Sequence, residues 1–129
     1  MNMIRGIIIM GESGNIIMPD NVADIWMNEP ELVELFGVIA PTLRAAIRAI
    51  YKSGVLKEYE VQKYIRLENG YHADVFRFPM VIALAFRINT FGAEQVRNAV
   101  LERLYLRKEK TSIFFSLGVN GMNASQYQA

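Results

Sequence analysis

The chain has 129 residues, 52% hydrophobic and 21% charged, which is enough apolar material for one packed core and too little charge for a disordered polyelectrolyte. Its longest apolar run, Met80 to Phe86, has seven residues against the roughly 20 of a membrane-spanning helix, and Ile7 to Met10 is too short for the core of an export signal, so the expectation is a cytoplasmic protein with no membrane partner. Cysteine is absent, and a net charge of +1 hides an asymmetry of −5 over residues 1–40 against +6 over residues 41–129; the first fact excludes disulfides, thiolate zinc sites and thiol catalysis, and the second suits a basic face offered to a polyanion.

In chain order, Ile4 to Met10 and Asn15 to Met18 flank Gly11-Glu12-Ser13-Gly14 and predict a β-hairpin. Asn28 then stands three residues before Glu31, the spacing of a capping box, with Pro30 inside the first turn and Met27 and Leu32 as a hydrophobic staple. Leu32, Val33, Leu35 and Phe36 fill one side of this short helix, and Gly37 is placed to end it in the left-handed conformation. A second helix starts near Pro41, with Leu43, Ala46, Ile47, Ile50 and Tyr51 on one face, and stops at Gly54. Val55 to Glu60 reads as no more than a helical turn. Val61 to Leu67 and Tyr71 to Phe78 flank Asn69-Gly70 and predict a second hairpin. Pro79 opens a helix on MVIALAF, a break falls around Asn89 to Gly92, and a final helix runs to about Lys108. On it Val96, Val100, Leu101 and Leu104 form one stripe, which Tyr105 and Leu106 leave.

The segment Glu29 to Ile50 has the spacing of a helix-turn-helix: short helix, glycine turn, and a second helix whose outer face can enter a major groove. On that second helix Pro41, Ala45, Arg48 and Lys52 oppose the apolar face, with Thr42, Arg44 and Ala49 at its flanks. Arginine suits bidentate contact to guanine, lysine suits a phosphate, and an alanine or threonine methyl can touch thymine. The second hairpin follows where a wing belongs, and Lys63, Arg66, His72 and Arg77 lie along it near the expected phosphates. The plain alternative is a helical hairpin with a solvated basic face, followed by strands whose charges block edge aggregation. His72 is the sole histidine, so a metal or catalytic centre built on it is not expected. No phosphate loop, HExxH helix or Gly-x-Ser-x-Gly elbow is present, and the expectation is a non-enzymatic protein without cofactor or metal.

The stretches IWMNEPELVELFGV, IRAIYKSGVL and FRFPMVIALAFRINTFGAEQVRNAVLERL resemble the RhuM family of bacterial virulence-island and mobile-element proteins, over roughly Ile25 to Leu104. Trp26, Met27 and Asn28 stand where that family has a Trp-Leu-Thr helix start, and Leu35, Phe36, Gly37 and Val38 match its Leu-Phe-Gly-Val. Phe76 to Ile82, then Phe86, Arg87, Ile88, Asn89 and Thr90, and then Gln95, Val96 and Arg97 match its later motifs. The resemblance implies a helix-turn-helix and, through it, DNA binding. The chain departs from the family at Ile39, Ala40, Pro41, Ala45 and Ala46, where the family has polar residues. Two consequences are open: DNA is bound chiefly through phosphates and shape, or the helix has become a protein interface.

The fold expected is α+β: an N-terminal β-hairpin, a winged helix-turn-helix and two C-terminal helices, as a single winged-helix-like domain over residues 1–110 followed by an interaction arm and tail over 111–129. The function expected is binding of double-stranded DNA by a dimeric transcriptional or mobile-element regulator through Thr42, Arg44, Ala45, Arg48, Lys52, Lys63, Arg66 and Arg77. The homodimer would form through the C-terminal helix and arm, where Tyr105, Leu106, Ile113, Phe114, Phe115 and Leu117 need cover. The alternative is an assembly module that keeps the helix-turn-helix fold and no longer reads DNA.

Overall fold

The computed structural model of the chain describes residues 5–119, with side chains described through Tyr105. Two compact units emerge, one ending at Arg97 and one beginning at Asn98. The first is α+β. Its N-terminal hairpin is shorter than the apolar runs suggest: β1 (Ile9–Met10) pairs antiparallel with β2 (Ile16–Ile17) over two residue pairs. The reason lies upstream, where Gly6 leaves the hairpin to form a parallel bridge with Ile25, donating to the Asp24 carbonyl at 2.7 Å and accepting from Trp26 N–H at 3.1 Å.

After a 3-10 turn, Val22–Asp24, the strand β3 (Trp26–Asn28) leads directly into α1 (Glu29–Phe36). The start of α1 is the expected capping box: Asn28 Oδ1 accepts from Glu31 N–H at 3.0 Å, and Glu31 Oε1 accepts from Asn28 N–H at 2.8 Å. Met27 and Leu32, the staple, are both fully buried. Gly37 takes φ +64° and donates to the Val33 carbonyl, ending α1. Three residues later α2 (Ala40–Ser53) begins, buries Leu43, Ala46, Ile47 and Ile50, and ends at Gly54 with φ +81°. Both glycines sit where a β-carbon would strain the backbone.

The ambiguous segment becomes a four-residue helix, α3 (Glu58–Val61). It feeds β4 (Gln62–Arg66), which pairs with β5 (His72–Arg77). Their connection is a three-residue loop, Glu68 to Gly70: Gly70 has φ +88° and donates to Leu67 O at 3.0 Å, and Leu67 N–H donates to Tyr71 O at 2.6 Å. This hairpin is not isolated. β3 pairs with the other edge of β5, giving a three-stranded antiparallel sheet in the order β3-β5-β4. Pro79 lies in the first turn of α4 (Phe78–Ala85), whose Met80, Val81, Leu84 and Ala85 are buried.

The last helix, α5 (Phe91–Val119), is longer than expected by eleven residues, because no glycine or proline interrupts residues 109–117. Thr90 starts it: its hydroxyl accepts from Ala93 N–H at 3.2 Å and donates to the Phe36 carbonyl at 2.6 Å, so one side chain serves the start of α5 and the end of α1. Val96 is fully buried, whereas Leu101 and Leu104 are exposed, so the expected apolar stripe does not hold as a whole. Residues 111–119, read from sequence as the beginning of an arm, continue the helix; residues 120–129 lie outside the described residues, as do the side chains of Leu106, Ile113, Phe114, Phe115 and Leu117. Among the described residues no helix is long and apolar enough to cross a membrane.

Candidate nucleic-acid interface

The amphipathic pattern of α2 decides which side chains it offers. With Leu43, Ala46, Ile47 and Ile50 drawn into the core, Thr42, Arg44, Ala45, Arg48 and Lys52 are all exposed. They fall at the i, i+3 and i+4 spacings that make one continuous helical face. One member of this group is engaged. The Arg44 guanidinium lies on the Glu29 carboxylate, with Nε at 3.1 Å from one oxygen and Nη2 at 3.2 Å from the other. Glu29 is the first residue of α1, where its charge also complements the helix dipole, so the beginning of α1 holds down one cation of α2. Arg48 and Lys52 form no ion pair among the described residues.

Lys63, Arg66, His72 and Arg77, the basic side chains of the β4–β5 hairpin, do not gather on one face. Directly paired residues of an antiparallel sheet share a face, and the face alternates along each strand. Trp26 pairs with Arg77, and Lys63 with Val75, two residues before Arg77, so Trp26, Lys63 and Arg77 share one face. There the Arg77 guanidinium lies 5.6 Å, and the Lys63 ammonium 6.0 Å, from the centre of the Trp26 ring. Arg66 pairs with His72 on the other face, where the His72 ring stacks on Tyr64 at 5.2 Å with the planes 9° apart. Tyr64 and Tyr71 are well exposed. Arg66 is therefore separated from Lys63 and Arg77 by the thickness of the sheet, a division already contained in the odd spacing of residues 63 and 66.

Tyr51 joins α2 to the sheet: its hydroxyl donates to Gln62 Oε1 at 2.8 Å. Burial, with the Glu58 and Asp74 carboxylates adding to it, pushes the Tyr51 phenol up to about 12, so it stays a neutral donor. Several further residues that sequence reasoning either passed over or matched only as motif letters have structural tasks. Arg5 donates to the Trp26 carbonyl at 2.8 Å and pairs with Glu31 at 2.7 Å, which ties the capping box to β3. Gln95 donates to Gly14 O at 2.6 Å, and Arg97 donates to Ala85 O, the last residue of α4, and to Ile88 O in the connection after it, at 2.7 and 2.9 Å. No local pattern marks these pairings, because each joins residues at least nine positions apart.

Among the described residues no group of three or more histidine, aspartate or glutamate side chains is placed to hold a metal ion. Comparisons with models of protein families, with curated proteins and with solved structures find no match for this chain.

Proposed function

We propose that the chain is a non-enzymatic, cytoplasmic DNA-binding regulator of the RhuM type, in which α1, the turn at Gly37 and α2 act as a helix-turn-helix and the β4–β5 hairpin acts as its wing. The observation that carries this reading is the exposed face of α2. Thr42, Arg44, Ala45, Arg48 and Lys52 stand together on a helix whose opposite face is buried and which follows α1 after a short glycine turn, an arrangement suited to the major groove. Lys63, Arg66 and Arg77 add cations on the two faces of the sheet for phosphate contacts. The resemblance of residues 25–104 to the RhuM family supports the same reading. As a homodimer paired through α5 beyond Arg97 and the residues that follow, the protein would present two copies of α2 to the half-sites of a two-fold operator.

Selection of bound fragments from random genomic DNA at two salt concentrations, followed by fluorescence anisotropy with a selected duplex, tests this function. Replacing Arg44, Arg48 and Lys52 together by alanine is expected to abolish binding with the helical circular dichroism intact. Wild-type affinity in that variant would remove α2 from the interface. One observation favours the assembly-module reading: Ile39 is 68% exposed beside exposed Pro41 and Ala45, an apolar patch at the front of the same helix. Failure of the wild-type chain to retain any DNA at low salt decides for that reading.

A further inference from the structure

We propose that Trp26, Lys63 and Arg77 form a second phosphodiester-binding subsite, on the sheet face turned away from α2, in which Lys63 and Arg77 contact DNA backbone oxygens and Trp26 is the positioning residue for both. The inference rests on the DNA-binding reading and assigns it a contact surface apart from the recognition helix.

Three observations converge. The first is placement: Gln62 pairs with Phe76, which pairs with Met27, and Tyr51 of α2 bonds to Gln62, so α2 meets the sheet on the face opposite Trp26, Lys63 and Arg77. The second is geometry. Two cations from different strands share one indole, at 6.0 and 5.6 Å from its centre, and the ring quadrupole attracts both. Lysine and arginine lose much rotamer freedom when they grip an anion; side chains already held against a ring lose less. The third is the local charge. Arg5 and Arg44 are each neutralised by a glutamate, while among the described residues no carboxylate lies within ion-pair distance of Lys63 or Arg77. Like charges gathered on one ring repel each other, and an anionic oxygen placed between or beside them relieves that repulsion. A phosphodiester supplies such an oxygen at every nucleotide.

Trp26 is the only tryptophan of the chain, so its emission reports on this subsite alone. In a titration of the full chain with a fluorescein-labelled duplex of about 30 base pairs, anisotropy and Trp26 emission are expected to change with the same midpoint. Replacing Lys63 and Arg77 together by alanine, or by glutamine if the alanine variant loses its circular dichroism, should flatten the slope of log K against log salt by about two units for each protomer on the duplex, one for each lost phosphate contact. Arg77→Lys should keep the wild-type slope. Trp26→Leu should also keep the slope but weaken binding by about two- to fivefold, the cost of losing the ring that orders the cations. Emission that stays constant through a titration saturating the anisotropy, or a double variant with the wild-type slope, overturns the subsite and leaves DNA binding by α2 standing. No anisotropy change at the lowest salt overturns both.

Discussion

A single methyl group placed at Gly92 tests the packing of the first turn of α5 against the end of α1. A β-carbon built there would overlap the Leu35 carbonyl oxygen and stand 3.1 Å from the Phe36 α-carbon. Both obstacles are backbone. Neither can rotate away as a side chain would, and the Thr90 hydroxyl bonded to the Phe36 carbonyl at 2.6 Å fixes the spacing of the two elements. Overpacking a core by side-chain atoms costs about 1–3 kcal/mol, so Gly92→Ala, directed at backbone, should cost about 3 kcal/mol or more. With an m-value of about 1.5 kcal/mol/M the urea midpoint would fall by about 2 M, read by circular dichroism at 222 nm. Helix propensity alone argues the other way, since alanine is better than glycine by up to about 1 kcal/mol inside a helix. The sign of the shift therefore decides between close approach and propensity. Gly54→Ala is the control: its φ of +81° disfavours alanine but nothing lies within 4 Å, so about 1–2 kcal/mol is expected from conformation alone. A Gly92→Ala protein as stable as the wild type would refute the contact.

Asn28→Ala removes the side chain that accepts from Glu31 N–H and should lower stability by about 0.5–2 kcal/mol in the same urea assay; an unchanged midpoint would mean the capping box contributes nothing. Glu29→Gln frees Arg44 from its ion pair and should tighten duplex binding by up to about fivefold at low salt, whereas weaker binding in the anisotropy titration would show that the pair positions Arg44 for DNA. The Tyr51 phenol, pushed up to about 12 by burial, keeps its proton when the unfolded chain gives it up near the ordinary value of 10.0. Its contribution is whole below pH 10 and is lost as pH rises toward 12; urea midpoints of Tyr51→Phe should fall less steeply across that interval, and parallel slopes would refute the assignment. Light scattering on the full chain and on a chain ending at Lys110 should give a dimer and a monomer; a monomeric full chain, or a shortened chain that stays dimeric, would exclude the residues after Lys110 as the dimer contact.

Local signals account for most of the elements. Asn28 with Glu31, Gly37, Gly54 and Pro79 mark helix ends through bonds or backbone angles that involve neighbours within four residues, and such bonds are visible in a sequence because spacing alone defines them. The apolar face of α2 is legible for the same reason, and with it the exposed set Thr42, Arg44, Ala45, Arg48 and Lys52. What spacing does not define is partnership across the chain. Residues 26–28 read as the approach to a helix, a staple and a cap, and they serve as that; they are also a strand against Val75, Phe76 and Arg77. Three residues are too few to show a period of two, and no turn sets their register because some fifty residues intervene. The β4–β5 hairpin is legible because its signal is local: Asn69-Gly70 lies between the runs ending at Leu67 and beginning at Tyr71, and Gly70 takes the left-handed conformation that closes the three-residue loop between them. Gly92 lies in the break the sequence marks before α5, yet its role depends on a carbonyl more than fifty residues away.

The charge asymmetry along the chain takes on meaning once these partnerships are known. Of the six acidic residues before position 40, Glu29 and Glu31 are committed, one to Arg44 on α2 and the other to Arg5 and the backbone of Asn28. Both lie in the first turn of α1, where the helix dipole favours them, and both therefore hold their partners against the start of that helix. The excess of basic charge after residue 40 is thus partly cancelled at Arg44 and left standing at Arg48, Lys52, Lys63 and Arg77. An approaching phosphate gains the full attraction of Arg48 and Lys52, but at Arg44 it must displace a carboxylate already at hydrogen-bond distance. The ranking of single alanine variants follows from that competition: Arg48 and Lys52 should each reduce affinity and the salt slope by a whole contact, and Arg44 by less. Equal losses at all three positions would mean that DNA opens the Glu29–Arg44 pair, and a larger loss at Arg44 would mean that Glu29 orients this guanidinium toward a base.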